Sequence, residues 1–411
     1  MNDSLARNSV GKYWHSLNHD YTVGLFKCSF QSFNTQNMDK VKVEHKRSTV
    51  LVTGVSGYVG AHVAHQLILH GHNVRGTIRS ISDGKINKLR GQILAGLQSA
   101  DTNLPKLDFV EADLLREELW PQVVAGCKYV CHVASPFPSE VPRDPDTIIK
   151  PAVEGTLLVL RAAAKDGHVR RVVLTSSVAA IHDIILLDGK HDPDKFYNEN
   201  DWVDENKVEP YSKSKILAER AAHKFIDELP MEAGKRKLEL VVINPAFILG
   251  PMLTDSLSTS VLIVKRMLDK SMPVLPRFNL AICDVRDVAL AHVKGVESSK
   301  YAGKRFLIVT ESRWMNEMAK VVRKEMKPFG YWVPTMTVPN LIVRLSSLFD
   351  KTAVMIAARL GREFKLDNRR MVEELRITPT DPEKTIIDTC HSLIERGVVK
   401  PTRRYKRIRK Q

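Results

Sequence analysis

Within YSKSK at 211–215, a phenol and an ammonium, Tyr211 and Lys215, stand four positions apart ahead of the amphipathic run ILAERAAHKF. Four residues is close to one helical turn, so the two side chains share a face. An isolated phenol titrates at about 10, and a neighbouring positive charge lets it exchange a proton near neutrality. Upstream, TSS at 175–177 closes the apolar run RRVVLTSS and puts Ser177 at the C-terminal end of an expected strand, the edge where open α/β sheets bind ligands. Such a hydroxyl can orient a carbonyl oxygen that the phenol protonates while the lysine tunes the phenol. Tyr–Lys spacing alone is a frequent coincidence of helices. Its weight here comes from the serines on the preceding strand.

These residues need elements to hold them. From residue 49, the β-branched runs TVLVTG, NVRGTI, LDFVEA, YVCHVA, RRVVLTSS and LELVVINP alternate with amphipathic stretches long enough for crossover helices. That rhythm predicts an α/β fold: a doubly wound parallel sheet of the Rossmann kind over residues 46–250. Beyond Pro245, prolines punctuate shorter elements. Residues 251–400 are expected to form a smaller C-terminal, mainly substrate-binding region, with a strand near 304–310 rejoining the sheet. The Asp- and Asn-rich loop 182–207 is long enough to suggest a functional role.

At the end of the first expected strand, GVSGYVG spaces Gly54, Gly57 and Gly60 between a strand and a helix beginning near Tyr58. Glycines there permit the tight turn, the approach of backbone N–H groups to a pyrophosphate, and close helix–strand packing. The second strand ends near Ile78. An NAD enzyme usually carries an acidic residue there for the ribose hydroxyls; this chain has Arg79, with Arg75, Lys85 and Lys88 nearby, a charge pattern suited to a 2′-phosphate. NADP(H) is therefore the expected cofactor, and hydride transfer to or from a carbonyl or alcohol the expected chemistry. Asp113, after the third strand, can reach the adenine or cap a helix.

The formal charge of +15 raises the question of nucleic acid, yet much of the excess lies in a basic tail at 401–411, with Arg403, Arg404, Lys406, Arg407, Arg409 and Lys410 around Tyr405. A solvated tail is expected, with no nucleic-acid partner. Residues 1–45 lack periodicity and read as a disordered N-terminal extension or an upstream start ahead of Met38. Five cysteines, at 28, 127, 131, 283 and 390, form neither a disulfide framework nor a zinc pattern, which fits a reducing, cytoplasmic location. No apolar run is long enough for a membrane span. GxSxG, HExxH and GxxxxGK[ST] are absent, which removes the hydrolase and nucleoside-triphosphatase readings. His132, inside an apolar strand, reads as a core histidine. His182 and Asp183 follow the fifth strand and could line the substrate site.

The motifs VTGVSGYVG, VRGTIRS, VCHVASPFP, IIKPAVEGTLLVLRAA, RVVLTSS, YSKSKILAE and INPAFILGP, in that order over residues 48–400, resemble the dihydroflavonol reductase and aldehyde reductase branch of the extended short-chain dehydrogenases. The resemblance implies that Gly54, Gly57, Tyr58 and Val59 bind the pyrophosphate and Arg79 the 2′-phosphate. It likewise assigns Asp113 and Leu114 to the adenine, Val133, Ala134 and Ser135 to the middle of the cofactor, and Pro245 to the nicotinamide. Ser177, Tyr211 and Lys215 match the family's catalytic triad. Cinnamoyl-CoA reductases carry NWYCY around the tyrosine where this chain has VEPYSKS, and plant flavonoid reductases carry Asn where it has His182, so neither substrate transfers. Two alternatives stay open: a hydroxysteroid dehydrogenase or nucleotide-sugar enzyme on the same scaffold, and a non-catalytic NADP-sensing protein. Substrate and oligomeric state are not legible.

Overall fold

The computed structural model describes residues 47–97, 105–135, 144–183, 192, 194–230, 236–341, 360–363 and 365–409. The expected extension at 1–45, Cys28 and part of the 182–207 loop lie outside them. In chain order the strands are β1 (Thr49–Thr53), β2 (Asn73–Ile78), β3 (Leu107–Glu111), β4 (Tyr129–His132), β5 (Arg171–Thr175), β6 (Phe196–Tyr197), β7 (Glu239–Pro245), β8 (Phe247–Leu249), β9 (Asn279–Asp284), β10 (Arg305–Ile308), β11 (Glu311–Trp314) and β12 (Lys365–Leu366). The helices are α1 (Tyr58–Leu69), α2 (Asp83–Ile93), α3 (Trp120–Val124), α4 (Asp146–Asp166), α5 (Pro210–Glu228), α6 (Thr259–Leu268), α7 (Val285–Glu297), α8 (Met315–Met326), α9 (Pro382–Glu395) and α10 (Arg403–Ile408).

Seven strands form one sheet in the order β10-β7-β5-β4-β1-β2-β3, every adjacent pair parallel. The β-branched runs explain it: β1 and β5 each bury four of five residues, because a parallel strand covered on both faces needs apolar side chains on both. The winding reverses between β1 and β4, which pair with Val50 opposite Tyr129 and Thr53 opposite His132. A crevice must open at that switch point, and the glycine loop follows β1 directly into it.

One apolar cluster joins Leu51, Val130, Leu174 and Leu240 of the sheet to Trp120, Val159 and Ala222 of the helices. A second gathers the C-terminal third around Leu249, Val264, Met318 and Leu393, and it includes Tyr58 from α1. The same core therefore seats the end of the glycine loop and the C-terminal elements.

Two smaller pairings shape the rest: β11-β9-β8, and β12 alongside β6. The basic segment expected as a solvated tail is instead helical at 403–408. Tyr405 is buried in the second cluster, and the Thr402 hydroxyl accepts from the Tyr405 amide at 2.9 Å to cap the helix. One aromatic side chain with a core to enter outweighs the repulsion of its exposed basic neighbours. No helix among the described residues is long and apolar enough to cross a membrane.

Candidate active site

The glycine loop is built by contact. Gly54 adopts φ +67°, a conformation that disfavours a side chain, and a β-carbon there would lie 3.0 Å from that of Ala134. Gly57 donates its N–H to the Gly54 carbonyl at 3.0 Å and stands as N-cap of α1, which starts at Tyr58. At Gly60 a β-carbon would come within 2.3 Å of the Gly54 oxygen. Thr53 braces the other wall: its hydroxyl accepts from the Val133 and Ala134 amides at 3.0 and 2.9 Å and meets His132 Nδ1 at 2.9 Å. Burial drives His132 down to about 3, so the ring stays neutral and takes the remaining threonine proton. This bare-backbone cradle at a helix N-terminus is shaped for an anionic group.

On the adjacent edge, β5 runs out at Thr175 and Ser177 caps a short 3₁₀ turn, its hydroxyl oxygen accepting from the Ala179 amide at 3.2 Å. α5 begins at Pro210, where a ring-locked φ and a missing N–H cost nothing in a first turn. Tyr211 and Lys215 therefore occupy its first two turns. The Ser177 side chain acts on the Tyr211 phenol, and Lys215 Nζ lies 6.0 Å from the tyrosine ring centroid.

Burial raises Tyr211, the bond from Ser177 opposes that rise, and Asp183 adds to it. Lys215 itself is pushed down to about 8 by burial, with the Glu219 carboxylate opposing. A neutral phenol beside a cationic lysine is the state that a proton donor requires.

Residues 50–308 match the NAD dependent epimerase/dehydratase family. Among curated relatives, an oxidoreductase of Schizosaccharomyces pombe is 36% identical over 366 residues, covering 85% of this chain and 97% of that protein. Cinnamoyl-CoA reductase 1 of Arabidopsis thaliana is 31% identical over 358 residues, covering 86% and 91%. Of solved structures, Gre2 of Candida albicans in complex with NADPH superposes with a TM-score of 0.66 at 26% identity, over 85% of this chain and 99% of that one. The chain belongs to the NAD dependent epimerase/dehydratase family. It is an NAD(P)-dependent oxidoreductase of the extended short-chain type.

In this family member the expected cofactor residues divide into those on the crevice and those turned elsewhere. Val133, Ala134 and Ser135 follow β4 beside the glycine loop, and Pro245 ends β7 one strand beyond Ser177. Arg79 and Lys85 are exposed, just after β2 and in the first turn of α2, and neither has a hydrogen bond or ion pair among the described residues. Val59 is half-buried against the second core cluster.

The Tyr58 side chain is buried and donates to the Gly250 carbonyl at 2.9 Å, which leaves its backbone for the loop. Arg75 turns away to the carbonyls of Val123 and Ala125, and Lys88 pairs with Asp255 at 2.6 Å. Asp113 is exposed and closes a turn by accepting from the Leu115 amide at 2.9 Å rather than capping an α-helix. Leu114 packs toward Gly155 and the first core cluster.

His182 is buried and stacks on Tyr197 of β6 at 3.8 Å between centroids. Since β6 pairs with β12, this wall draws on the C-terminal third. Three residues escaped the sequence reading: Glu219, Asn244 and Arg305, all buried around the end of β5. Each had a signal. Glu219 is one turn beyond Lys215, Asn244 interrupts the apolar VVINP, and Arg305 opens an apolar strand.

Proposed function

We propose that the protein is an NADP-dependent reductase of aldehydes or ketones, with alcohol oxidation as the reverse reaction and Ser177, Tyr211 and Lys215 as its catalytic groups. The observation that carries this reading is the meeting of three groups: Tyr211 at the start of α5 has the Ser177 side chain acting on its phenol from the end of β5 and Lys215 Nζ 6.0 Å from its ring centroid. Two hydroxyls converging there can bind one carbonyl oxygen.

NADPH, when bound, supplies the hydride. Gly54, Gly57, Gly60 and the backbone of Tyr58 and Val59 would hold its pyrophosphate, and Val133, Ala134, Ser135 and Pro245 its middle and nicotinamide end. Arg79, with Lys85 behind it, would take the 2′-phosphate, as an unpartnered guanidinium at the end of β2 suits a dianion. The NADPH complex of the similar Gre2 supports that choice. Asp113 and Leu114 would border the adenine. Ser177 orients the substrate oxygen, Tyr211 gives it a proton, and Lys215 stabilises the resulting phenolate and binds the ribose. His182 would line the substrate side.

Carbonyl-dependent oxidation of NADPH and of NADH, followed by absorbance over a panel of aldehydes and ketones, tests the reading. Turnover preferring NADPH is expected. Tight NADPH binding with no turnover on any carbonyl would favour a sensor, and a preference for NADH would favour the hydroxysteroid or nucleotide-sugar alternative.

A further inference from the structure

A small cavity of about 10 Å³ is bordered by Lys215, Thr175, Ser176, Thr156 and His132, and the one carboxylate that lines it is Glu219. Glu219 is 1% exposed and lies one helical turn beyond Lys215. Three donors converge on it: the Ser176 hydroxyl, Asn244 Nδ2 at 2.8 Å and Arg305 Nε at 2.5 Å. Asn244, wholly buried, also donates to the Ser177 carbonyl at 3.1 Å. Arg305 is held in turn by the carbonyls of Glu199 and Asp201, at 2.9 and 2.8 Å, and lies 3.7 Å from the Trp202 ring centroid. One carboxylate thus ties together the end of β5, α5, β7 and β10.

We propose that Glu219 is a positioning residue for the triad: it locks Ser177 against the lysine helix and supplies the buried counter-charge that Lys215 and Arg305 share. The inference rests on the assignment of Ser177 and Lys215 to the reaction. Two buried cations facing one carboxylate are under-compensated, and removing that carboxylate strands both in a medium of low dielectric. The other groups around Lys215 cannot replace it. Tyr211 is neutral on the same face of α5, His132 at the end of β4 is neutral, and Thr156, Thr175 and Ser176 carry no charge. Asp183 acts on Tyr211 and does not figure among the groups that move Lys215. His223, 4.0 Å from Glu219, is held low by burial.

The test reads Lys215 directly. In cofactor-free protein carrying ¹³C-labelled lysine, the Lys215 Cε resonance, assigned by its loss in Lys215→Met, should titrate near the value of about 8 set by burial. In Glu219→Gln the midpoint should fall by about one pH unit, the size of a single lost charge contact of ~1.4 kcal/mol. In Arg305→Gln, where the carboxylate no longer serves a second cation, the midpoint should rise. These opposite shifts belong to electrostatics, and a merely structural role produces neither. An unmoved midpoint in Glu219→Gln or, should that chain not fold, in Arg305→Gln overturns the inference. Failure of the triad would register separately, as undiminished NADPH oxidation by Tyr211→Phe.

Discussion

A β-carbon on Gly60 would lie 2.3 Å from the Gly54 carbonyl oxygen, a separation that only backbone movement can relieve. The two glycines hold the first turn of α1 against the end of β1 and leave the crevice floor bare. Gly60→Ala should lower stability by about 1–3 kcal/mol, as overpacking does, and weaken cofactor affinity by a larger factor than Gly71→Ala, whose β-carbon meets nothing within 4 Å although its φ of +84° adds strain. Thermal denaturation with and without NADPH checks both parts.

Tyr211→Phe removes the proposed proton donor and keeps the ring. Turnover should fall about 10²–10⁴-fold with NADPH affinity nearly unchanged, and Ser177→Ala should fall within the same range. Steady-state kinetics alongside fluorescence titration with NADPH separates loss of chemistry from loss of binding.

Arg79 stands exposed after β2 with no partner among the described residues. Arg79→Ala should raise the Kd for NADPH about 10- to 100-fold, the worth of one charge-assisted contact of ~1.5–3 kcal/mol, and leave NADH nearly untouched. Equal losses for both cofactors would place the 2′-phosphate elsewhere.

Asp287 is 5% exposed, accepts from the Thr380 amide and hydroxyl at 2.8 and 2.7 Å, and is pushed up to about 6 by burial, with Asp284 adding to the rise. Its folded value lies above its unfolded one, so its contribution to stability is complete below about pH 4 and is lost as pH rises through about 6. The loss amounts to at most ~3 kcal/mol at 1.36 kcal/mol per unit. Asp287→Asn should flatten the decline in unfolding free energy between pH 4 and 7. Urea denaturation at stepped pH measures it.

Tyr405 anchors the C-terminal basic helix among Phe329, Tyr331 and His391. Tyr405→Ala should cost about 3 kcal/mol, in line with other buried aromatic truncations, whereas Lys406→Ala and Arg407→Ala on exposed positions should stay within about 0.5 kcal/mol. Thermal unfolding of the three variants decides whether the segment is part of the fold.

Much of the site is local and therefore legible. The glycine loop, the strand end at Ser177 and the helix bearing Tyr211 and Lys215 each announce themselves by spacing and periodicity. Glu219 and Arg305 are separated by 86 positions in the chain and meet only because β10 returns beside β7. Tyr58 makes a second contact of this kind. Its phenol takes a buried bond to the Gly250 carbonyl, 192 positions away, which the C-terminal third supplies.

By itself, the sequence determined the parallel α/β architecture, the glycine loop and the three residues proposed for proton transfer, because periodicity, glycine geometry and i,i+4 spacing act over a few residues. Tertiary structure decided the rest. It sets the order of the outer strands, the stack of His182 on Tyr197, the docking of the basic helix through Tyr405, and the charge network beneath Lys215. All of these depend on contacts between distant segments and on low-dielectric burial, and both exist only once the chain has closed on itself.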